Sequence, residues 1–267
     1  FRRVLFRSAL PLWPVSDAGL RVAAHYYNRS ISKRGKLDVV INGKILNEEQ
    51  RKCMVWDIEK GQSNNIEPLP WQTDTCIGSW HYDRPRYEQK KYKSTKSVIH
   101  ALADVVSKNG NLMLNIPVRG DGSIDEQERR IVEEISTWMN VNSESIYGTR
   151  PWTVFGEGPA IKDAAPLSAQ GFNEGKGKPF TAEDIRFTVK GNILYAFLLG
   201  WPGENEARIE SLGYMSKLTN GKKIGKVSLL GYKGELVWEQ LAGSLGVKMP
   251  LTAPCEHAVV LKIEGLL

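Results

Sequence analysis

The first half of the chain alternates amphipathic helical segments with short apolar segments. Apolar residues at helical spacing predict helices over 17–34, over 94–108 and within 121–142, each with a capping residue or a terminating glycine nearby. Apolar and β-branched runs predict short buried strands at 36–42, 53–59, 74–80 and 111–117. This alternation indicates a parallel sheet of about four strands, either half of an eight-stranded barrel or a small open sheet.

The pattern changes after the segment YGTRPWTVFGEGP at 147–159. Glycine and proline become frequent, and 160–180 is a polar segment that predicts a loop. Short alternating segments follow, which predict strands at 184–192, 193–202, 207–213, 226–232, 247–252 and 257–265. Gly191 and Asn192 separate two of them and indicate a hairpin. Residues 151–267 are therefore predicted to form an antiparallel β-sandwich.

Charge and apolar content exclude two classes of partner. The formal net charge is +6, but the lysines and arginines are scattered rather than gathered in a stripe, so we expect no nucleic-acid interface. No run of 18 apolar residues occurs, so no membrane-spanning helix is predicted. Cys53, Cys76 and Cys255 show no metal-ligand spacing, which predicts no metal site and leaves a disulfide between any two of them open.

The first eight residues, FRRVLFRS, resemble a translated adapter sequence rather than a signal peptide, because arginines interrupt the apolar residues. We expect residues 1–8 to be foreign to the natural chain and exclude them from the predicted fold. The first domain is therefore placed at 9–150.

Polar side chains collect where the predicted parallel strands end. Asn42, Asp57, Glu59 and Asn115 lie at strand ends, and the segment WQTDTCIGSW at 71–80 combines tryptophans with hydrogen-bonding groups. Catalytic groups of parallel α/β proteins cluster at this edge. Carboxylates, amides and aromatic faces suit a sugar, whereas the chain has neither a glycine-rich phosphate loop nor a G-x-S-x-G nucleophile motif.

Three segments resemble glycoside hydrolase family 29, the α-L-fucosidases: PWQTDTCIGSWHY at 70–82, VSKNGNLMLNIPVRGDGSID at 106–125 and SESIYGTRPW at 143–152. The resemblance implies a (β/α)8-type barrel followed by a β-sandwich. This chain would hold the C-terminal half of the barrel at 9–150 and the sandwich at 151–267, with the N-terminal half missing. It also implies a fucosylated glycan substrate, no metal or organic cofactor, and an extracytoplasmic location.

The resemblance further implies a retaining mechanism with two carboxyl groups. The place of the family nucleophile falls in FRRVLFRSALPLWP, which contains no aspartate, so we expect the nucleophile to be absent from this chain. Glu59 matches one subgroup's position for the general acid/base, and Glu67 is the second choice. Gln72 stands where some relatives have a glutamate, and an amide cannot transfer this proton.

Four residues are predicted to contact the substrate: Trp71, Trp80, His81 and Asn115. The alternatives are core packing for the tryptophans, a structural histidine at position 81, and loop orientation by Asn115. Asp74 is expected to hydrogen-bond loop backbone.

Two other functions stay open at this point. The sandwich could make the chain a carbohydrate-binding or adhesion module, with the half barrel as its scaffold. The barrel could instead serve an exo-glycosidase of another sugar specificity. The oligomeric state is open as well, although a half barrel that exposes an apolar interior face and unpaired strand edges is expected to aggregate or to dimerise.

Overall fold

Helices and short strands alternate through the first half of the chain. The computed structural model describes residues 3–6, 16–162, 166–167, 171–202 and 206–267. The elements of the first half are β1 (Arg3–Phe6), α1 (Ala18–Arg34), β2 (Val40–Gly43), α2 (Glu48–Arg51), β3 (Val55–Glu59), β4 (Trp71–Cys76), α3 (Arg84–Glu88), α4 (Thr95–Ser107), β5 (Gly110–Asn115) and α5 (Glu126–Asn142).

Antiparallel strands dominate the second half. Its elements are β6 (Arg150–Glu157), α6 (Pro159–Lys162), β7 (Ile185–Lys190), β8 (Ile193–Leu198), β9 (Glu206–Ile209), β10 (Lys226–Leu229), β11 (Val237–Gln240), β12 (Leu245–Lys248) and β13 (Val259–Glu264). Short 3₁₀ turns cover Ser143–Ser145 and Glu210–Leu212.

Strands β1 to β5 form one parallel sheet in chain order. The strands predicted near 36–42, 53–59 and 111–117 are confirmed with shifted ends. The strand predicted at 74–80 lies earlier, at Trp71–Cys76. The backbone of residues 3–6 pairs with β2 as a fifth strand, so the exclusion of residues 1–8 from the fold does not hold for that segment.

A capping feature marks one end of each of the three long helices. The Ser94 side chain accepts a hydrogen bond from the backbone N–H of Ser97 and starts α4. Asp125 and Glu128 form a reciprocal capping box at the start of α5. Gly35 follows α1 with φ 69°, a left-handed conformation that glycine adopts without strain. All three predicted helices are thus confirmed.

The second half is a sandwich of two antiparallel sheets, ordered β10-β13-β8-β7-β6 and β11-β12-β9. The Gly191–Asn192 hairpin is confirmed between β7 and β8. Alternate residues of both sheets meet in one apolar core, for example Phe187 and Leu261 from the larger sheet and Val247 from the smaller. Burying each such side chain contributes about 1.5–3 kcal/mol. Strands β6 and β11 had not been predicted.

Helix α4 lies between the two halves. Its Val105 packs with Trp56 and Trp71 of the parallel sheet. Its Ile99 packs with Phe197 on the outer face of the sandwich, in a cluster that also contains Trp138 of α5. Helix α4 thus holds the parallel sheet and the sandwich together through two separate apolar clusters, one on each of its sides.

Candidate active site

The two faces of the parallel sheet differ in chemistry. Trp56, Ile58 and Trp71 pack toward α4 with Val105. Side chains alternate along a strand, so the intervening residues point to the opposite face. That face, called the polar face below, carries six residues from β2, the residue after it, β3 and β4: Asn42, Lys44, Asp57, Glu59, Gln72 and Asp74.

This polar face corrects one expectation. The interior of the half barrel was predicted to expose apolar side chains and so to favour aggregation or dimerisation. The polar face carries charged and amide groups instead. Strands β2, β3 and β4 therefore expose no apolar interior face that would drive self-association.

Lys44 is the centre of the polar face. Its Nζ lies 2.8 Å from Asp74 Oδ1, 3.0 Å from Asp57 Oδ2 and 3.5 Å from Glu59 Oε2. Its side chain is 8% exposed. One buried ammonium therefore balances part of the charge of three carboxyl groups. Asp74 lies within β4 and pairs with Lys44, so the expectation that it bonds loop backbone was wrong.

Burial and like charge change the protonation of this cluster. Burial, together with the neighbouring charge of Asp74, raises the pKa of Asp57. Burial acts to lower the pKa of Lys44, but its bonds to Asp74 and Asp57 outweigh that effect and raise it. Lys44 therefore stays an ammonium, while Asp57 favours the neutral acid more than an exposed aspartate does.

Two amides orient Asp57. The Asn42 Nδ2 donates to Gln72 Oε1 at 3.0 Å, and the Gln72 Nε2 donates to Asp57 Oδ1 at 2.7 Å. This chain of bonds runs from Asn42 through Gln72 and ends on the Asp57 carboxyl group. Gln72 thus serves to hold Asp57, a role that needs an amide rather than an acid.

Glu59 is the last residue of β3 and lies at the carboxyl edge of the sheet. Its side chain is 11% exposed. The next residue, Lys60, has φ 43°, an uncommon conformation for a residue with a side chain and one found often at functional sites. The Lys60 N–H donates to the Asp74 carbonyl at 2.9 Å, which fixes the end of β3 against β4.

The segment 171–180, called the covering segment, packs against this strand end. The Phe172 N–H donates to the Glu59 carbonyl at 2.7 Å, and the Glu174 N–H donates to the Lys60 carbonyl at 2.9 Å. The Glu174 carboxylate accepts from Lys93 Nζ at 2.6 Å and from Thr75 Oγ1 at 3.0 Å. The covering segment was assigned to the sandwich domain, yet it packs on the parallel sheet.

The structure separates the two acid/base candidates. Glu59 lies at the carboxyl edge, whereas Glu67 accepts from Ser63 Oγ at 2.5 Å and from Arg51 Nη1 at 3.4 Å. Arg51 in turn stacks on Trp56, which belongs to the amino-terminal half of β3. Glu67 is thus near the opposite end of the sheet and does not meet the polar face.

The four predicted substrate contacts fall into different environments. Trp71 is 1% exposed, packs on Trp56 and donates from Nε1 to the Lys108 carbonyl at 2.8 Å, so the structure places it in the core. Trp80 is half-buried beyond the carboxyl end of β4, with Lys60 Nζ 5.2 Å from its ring centroid.

The remaining two predicted contacts lie near Trp80. His81 is exposed. Asn115 donates from Nδ2 to the carbonyls of Ser79 and Trp80 at 3.3 and 3.2 Å, so it orients the loop that carries Trp80. Trp80, His81 and Asn115 are thus together at the carboxyl edge, without Trp71.

The sequence did not predict a role for Lys44 or Glu174, and it did not predict that Asp57 and Asp74 share Lys44 as their cation. Period-two alternation in VWDIE and WQTDT would have indicated that Asp57, Glu59, Gln72 and Asp74 share one face. Among the residues that the structure describes, no cluster of His, Cys, Asp or Glu could hold a metal ion, and Cys53, Cys76 and Cys255 are free thiols. The described helices include none able to cross a membrane.

Comparison with known proteins gives matches in both halves. Residues 17–144 match the sequence model of the family described as Alpha-L-fucosidase, and residues 178–264 match the Alpha-L-fucosidase C-terminal domain. Tissue alpha-L-fucosidase of Rattus norvegicus is 28% identical over 214 residues, which are 77% of this chain and 39% of the relative. The chain therefore spans about two fifths of the length of the curated relatives it matches.

Solved structures agree with this assignment at the level of the fold. The α-fucosidase of Thermotoga maritima superposes with a TM-score of 0.60 at 23% identity, over 90% of this chain and 47% of that one. A family 29 α-L-fucosidase of Bacteroides thetaiotaomicron, trapped as a covalent intermediate in a glutamate-to-glutamine mutant, gives 0.67 at 15% identity, over 98% and 56%. With sequence matches in both halves and this shared fold, the chain belongs to the α-L-fucosidase family, glycoside hydrolase family 29.

Proposed function

We propose that this chain supplies the proton-donor side of a retaining exo-α-L-fucosidase that releases terminal fucose from glycans. The observation that carries the proposal is the position of Glu59, at the carboxyl edge of the parallel sheet and beside Lys44. Active sites of barrel enzymes are built at that edge. The five parallel strands would then be one side of a (β/α)8-type barrel that the complete protein closes.

Glu59 has two tasks in this mechanism. It donates a proton to the glycosidic oxygen as the bond to the sugar breaks, and it later removes a proton from the water that releases the sugar. The covalent intermediate trapped in the Bacteroides relative supports a two-step route, and its glutamate-to-glutamine change supports a glutamate in the acid/base role. Both tasks need only carboxyl chemistry, so the reaction requires no metal or organic cofactor.

The attacking carboxylate comes from outside this chain. Residues 1–16 contain no aspartate or glutamate. Asp74 has both oxygens within 2.9 Å of Lys44 Nζ, and Asp57 is bonded to Lys44 and Gln72, so both carboxyl groups are already engaged within the polar face. A retaining enzyme places its two carboxyl groups about 5–5.5 Å apart, and the partner of Glu59 therefore reaches the polar face from the missing part of the barrel.

Trp80 supplies the aromatic plate for the sugar or the aglycone in this proposal. Half-buried indole rings at a polar edge pack well on the apolar face of a sugar ring. His81 is positioned to bond a hydroxyl group, and Asn115 holds the loop in place. We also propose an extracytoplasmic location, which follows from the family resemblance alone.

A panel of 4-nitrophenyl glycosides, assayed with the complete natural protein and with the 267-residue chain, tests the function. We expect turnover of the α-L-fucoside by the complete protein and none by the chain. Turnover of a β-galactoside with no fucoside activity would show that the enzyme is specific for a sugar other than fucose. Binding of fucose without turnover by the complete protein would favour a carbohydrate-binding module instead.

A further inference from the structure

We infer that the helix side of the parallel sheet contains a second binding site, for a small amphipathic acid with an apolar body and a carboxylate head. A cavity of about 570 Å³ lies between β4, β5, α4 and the covering segment. Thr73 and Thr75 line it, and these residues alternate with Gln72 and Asp74 of the polar face. The cavity and the Glu59 site are therefore on opposite faces of the same sheet.

The walls of the cavity are mostly apolar. They are formed by α4, β5 and the covering segment, through Val98, Ala101, Val105, Leu112, Leu114 and Phe180. Protein interiors rarely leave voids larger than a water molecule, whereas pockets for small ligands measure about 300–1,000 Å³. A space of this size and lining therefore has the dimensions of a ligand site rather than of a packing defect.

Polar contacts hold the covering segment in place over this space. Glu174 is bonded to Lys93 and Thr75, and the Asn173 side chain accepts from the Gln62 N–H at 2.8 Å and donates to the Gln62 carbonyl at 3.0 Å. These bonds fix the backbone at the rim without filling the interior with side chains. The cavity is thus built into the contact between the covering segment and the sheet.

The charges at the rim select the head group. Lys93, Lys96 and Glu174 are charged residues at the rim of the cavity. Lys93 is paired with Glu174 at 2.6 Å, whereas Lys96 is exposed and has no ion pair within the described parts of the chain. An anionic head beside Lys96 balances the charge of that ammonium group.

His100 adds no further charge. Its Nε2 lies 3.0 Å from the His257 carbonyl, an acceptor, so this nitrogen carries the proton of the neutral ring. Burial lowers the pKa of His100, and its ring packs tilted against Phe180 at a centroid distance of 5.7 Å. The ring is therefore part of the apolar wall. The cavity lies on the face of the sheet opposite Glu59, so this site is independent of the proposed catalysis.

Isothermal titration calorimetry of the 267-residue chain with 4-phenylbutyrate, and with the neutral 4-phenylbutanol, tests the inference. We expect the acid to bind with a sub-millimolar Kd and the alcohol to bind about tenfold more weakly, since it lacks the charge that the rim lysines attract. Excess fucose should not displace the acid. Equal affinity for both compounds would overturn the choice of an acid, and no binding of either would overturn the site.

Three variants test whether the two compounds bind in this cavity. Ala101→Phe fills the cavity from α4 and should abolish binding of both compounds. Lys96→Glu, a surface change that should leave the fold intact, is expected to weaken 4-phenylbutyrate about tenfold and to leave 4-phenylbutanol unchanged. Lys91→Glu is the matched control, because Lys91 is exposed and does not line the cavity. Unchanged binding of the acid in Lys96→Glu, or an equal loss in Lys91→Glu, would overturn the inference even if Ala101→Phe fails to fold.

Discussion

Arg186 and Asp104 form a buried ion pair that joins the two halves of the molecule. Arg186 Nε lies 2.6 Å from Asp104 Oδ1, and both side chains are at most 2% exposed. Asp104 belongs to α4 and Arg186 to β7 of the sandwich. Lys108 Nζ lies 2.7 Å from the other carboxylate oxygen. One carboxylate thus serves two buried cations, and its loss would leave both unpaired.

Asp104→Asn should therefore destabilise the chain strongly. We expect a loss of about 3–5 kcal/mol in the free energy of unfolding, because a buried charge without its partner is costly. Arg186→Met should lose less, about 1–3 kcal/mol, since Asp104 keeps Lys108. Arg130→Met is the control, because it removes an exposed ion pair with Glu134 on α5. It should change the free energy of unfolding by less than about 0.5 kcal/mol. Urea unfolding measures all three, and equal losses for Asp104→Asn and Arg130→Met would refute the role of the cluster.

The same cluster predicts a loss of stability in acid. Burial acts to raise the pKa of Asp104, but the charges of Lys108 and Arg186 outweigh it and hold the pKa below its usual value. A depressed carboxyl pKa contributes stability above the unfolded value of about 3.9, and that contribution disappears as the pH falls through the folded value. Urea unfolding between about pH 6 and about pH 3 should show a shallower decline for Asp104→Asn than for the natural chain. Parallel declines would contradict this.

Lys44 should be required for the stability of the polar face. Lys44→Met leaves Asp57, Asp74 and Glu59 without their shared cation, and we expect a loss of about 3–5 kcal/mol. Adding Asp57→Asn removes one of the repelling charges and should recover at least about 1 kcal/mol. The exposed Lys33→Met on α1 is the control. A double variant whose loss equals the sum of the single losses would show that Lys44 and Asp57 are not coupled.

Gly171 should be sensitive to a side chain because it touches the backbone of Glu59. Its φ is 89°, and a Cβ there would lie 2.6 Å from the Glu59 carbonyl oxygen. Gly175 has a similar φ of 71° with nothing within 4 Å, so it serves as the matched control. Gly175→Ala should cost about 1–2 kcal/mol from backbone strain alone. Gly171→Ala should cost about 1–3 kcal/mol more through the added clash, and equal costs would contradict the contact.

Hydrogen exchange at the Phe172 amide gives a second measurement of the same contact. This amide donates to the Glu59 carbonyl. Its protection should fall in Gly171→Ala by more than in Gly175→Ala. A protected Phe172 amide in both variants would show that the covering segment keeps its place despite the added methyl group.

The sequence predicted the elements whose signals are local. Helix α4 has an N-cap serine and an apolar stripe, and α5 has its capping box, so both were found at nearly their observed bounds. Strand β4 was misplaced because WQTDTC carries polar residues on both faces. A buried parallel strand is usually a continuous apolar run, and this one is not.

The site depends on the alignment of neighbouring strands, which the pattern within one strand does not specify. Lys44 follows a turn-like Asn-Gly pair and meets its carboxylates only because β2, β3 and β4 align side by side. The covering segment was predicted to be a polar loop, and it is one. The hydrogen bonds from Phe172 and Glu174 to the end of β3 were not predicted, because they depend on the contact between the sandwich and the sheet.

Glu59→Gln in the complete natural protein, assayed on a fucosyl disaccharide with Glu67→Gln as its control, tests the central claim most directly. A general acid contributes about 10²–10⁴-fold, so Glu59→Gln should lose turnover by that factor and should form fucosyl azide when azide is added. Glu67→Gln should keep nearly full activity. Full activity of Glu59→Gln, with the loss and the azide product found for Glu67→Gln instead, would contradict the assignment of Glu59.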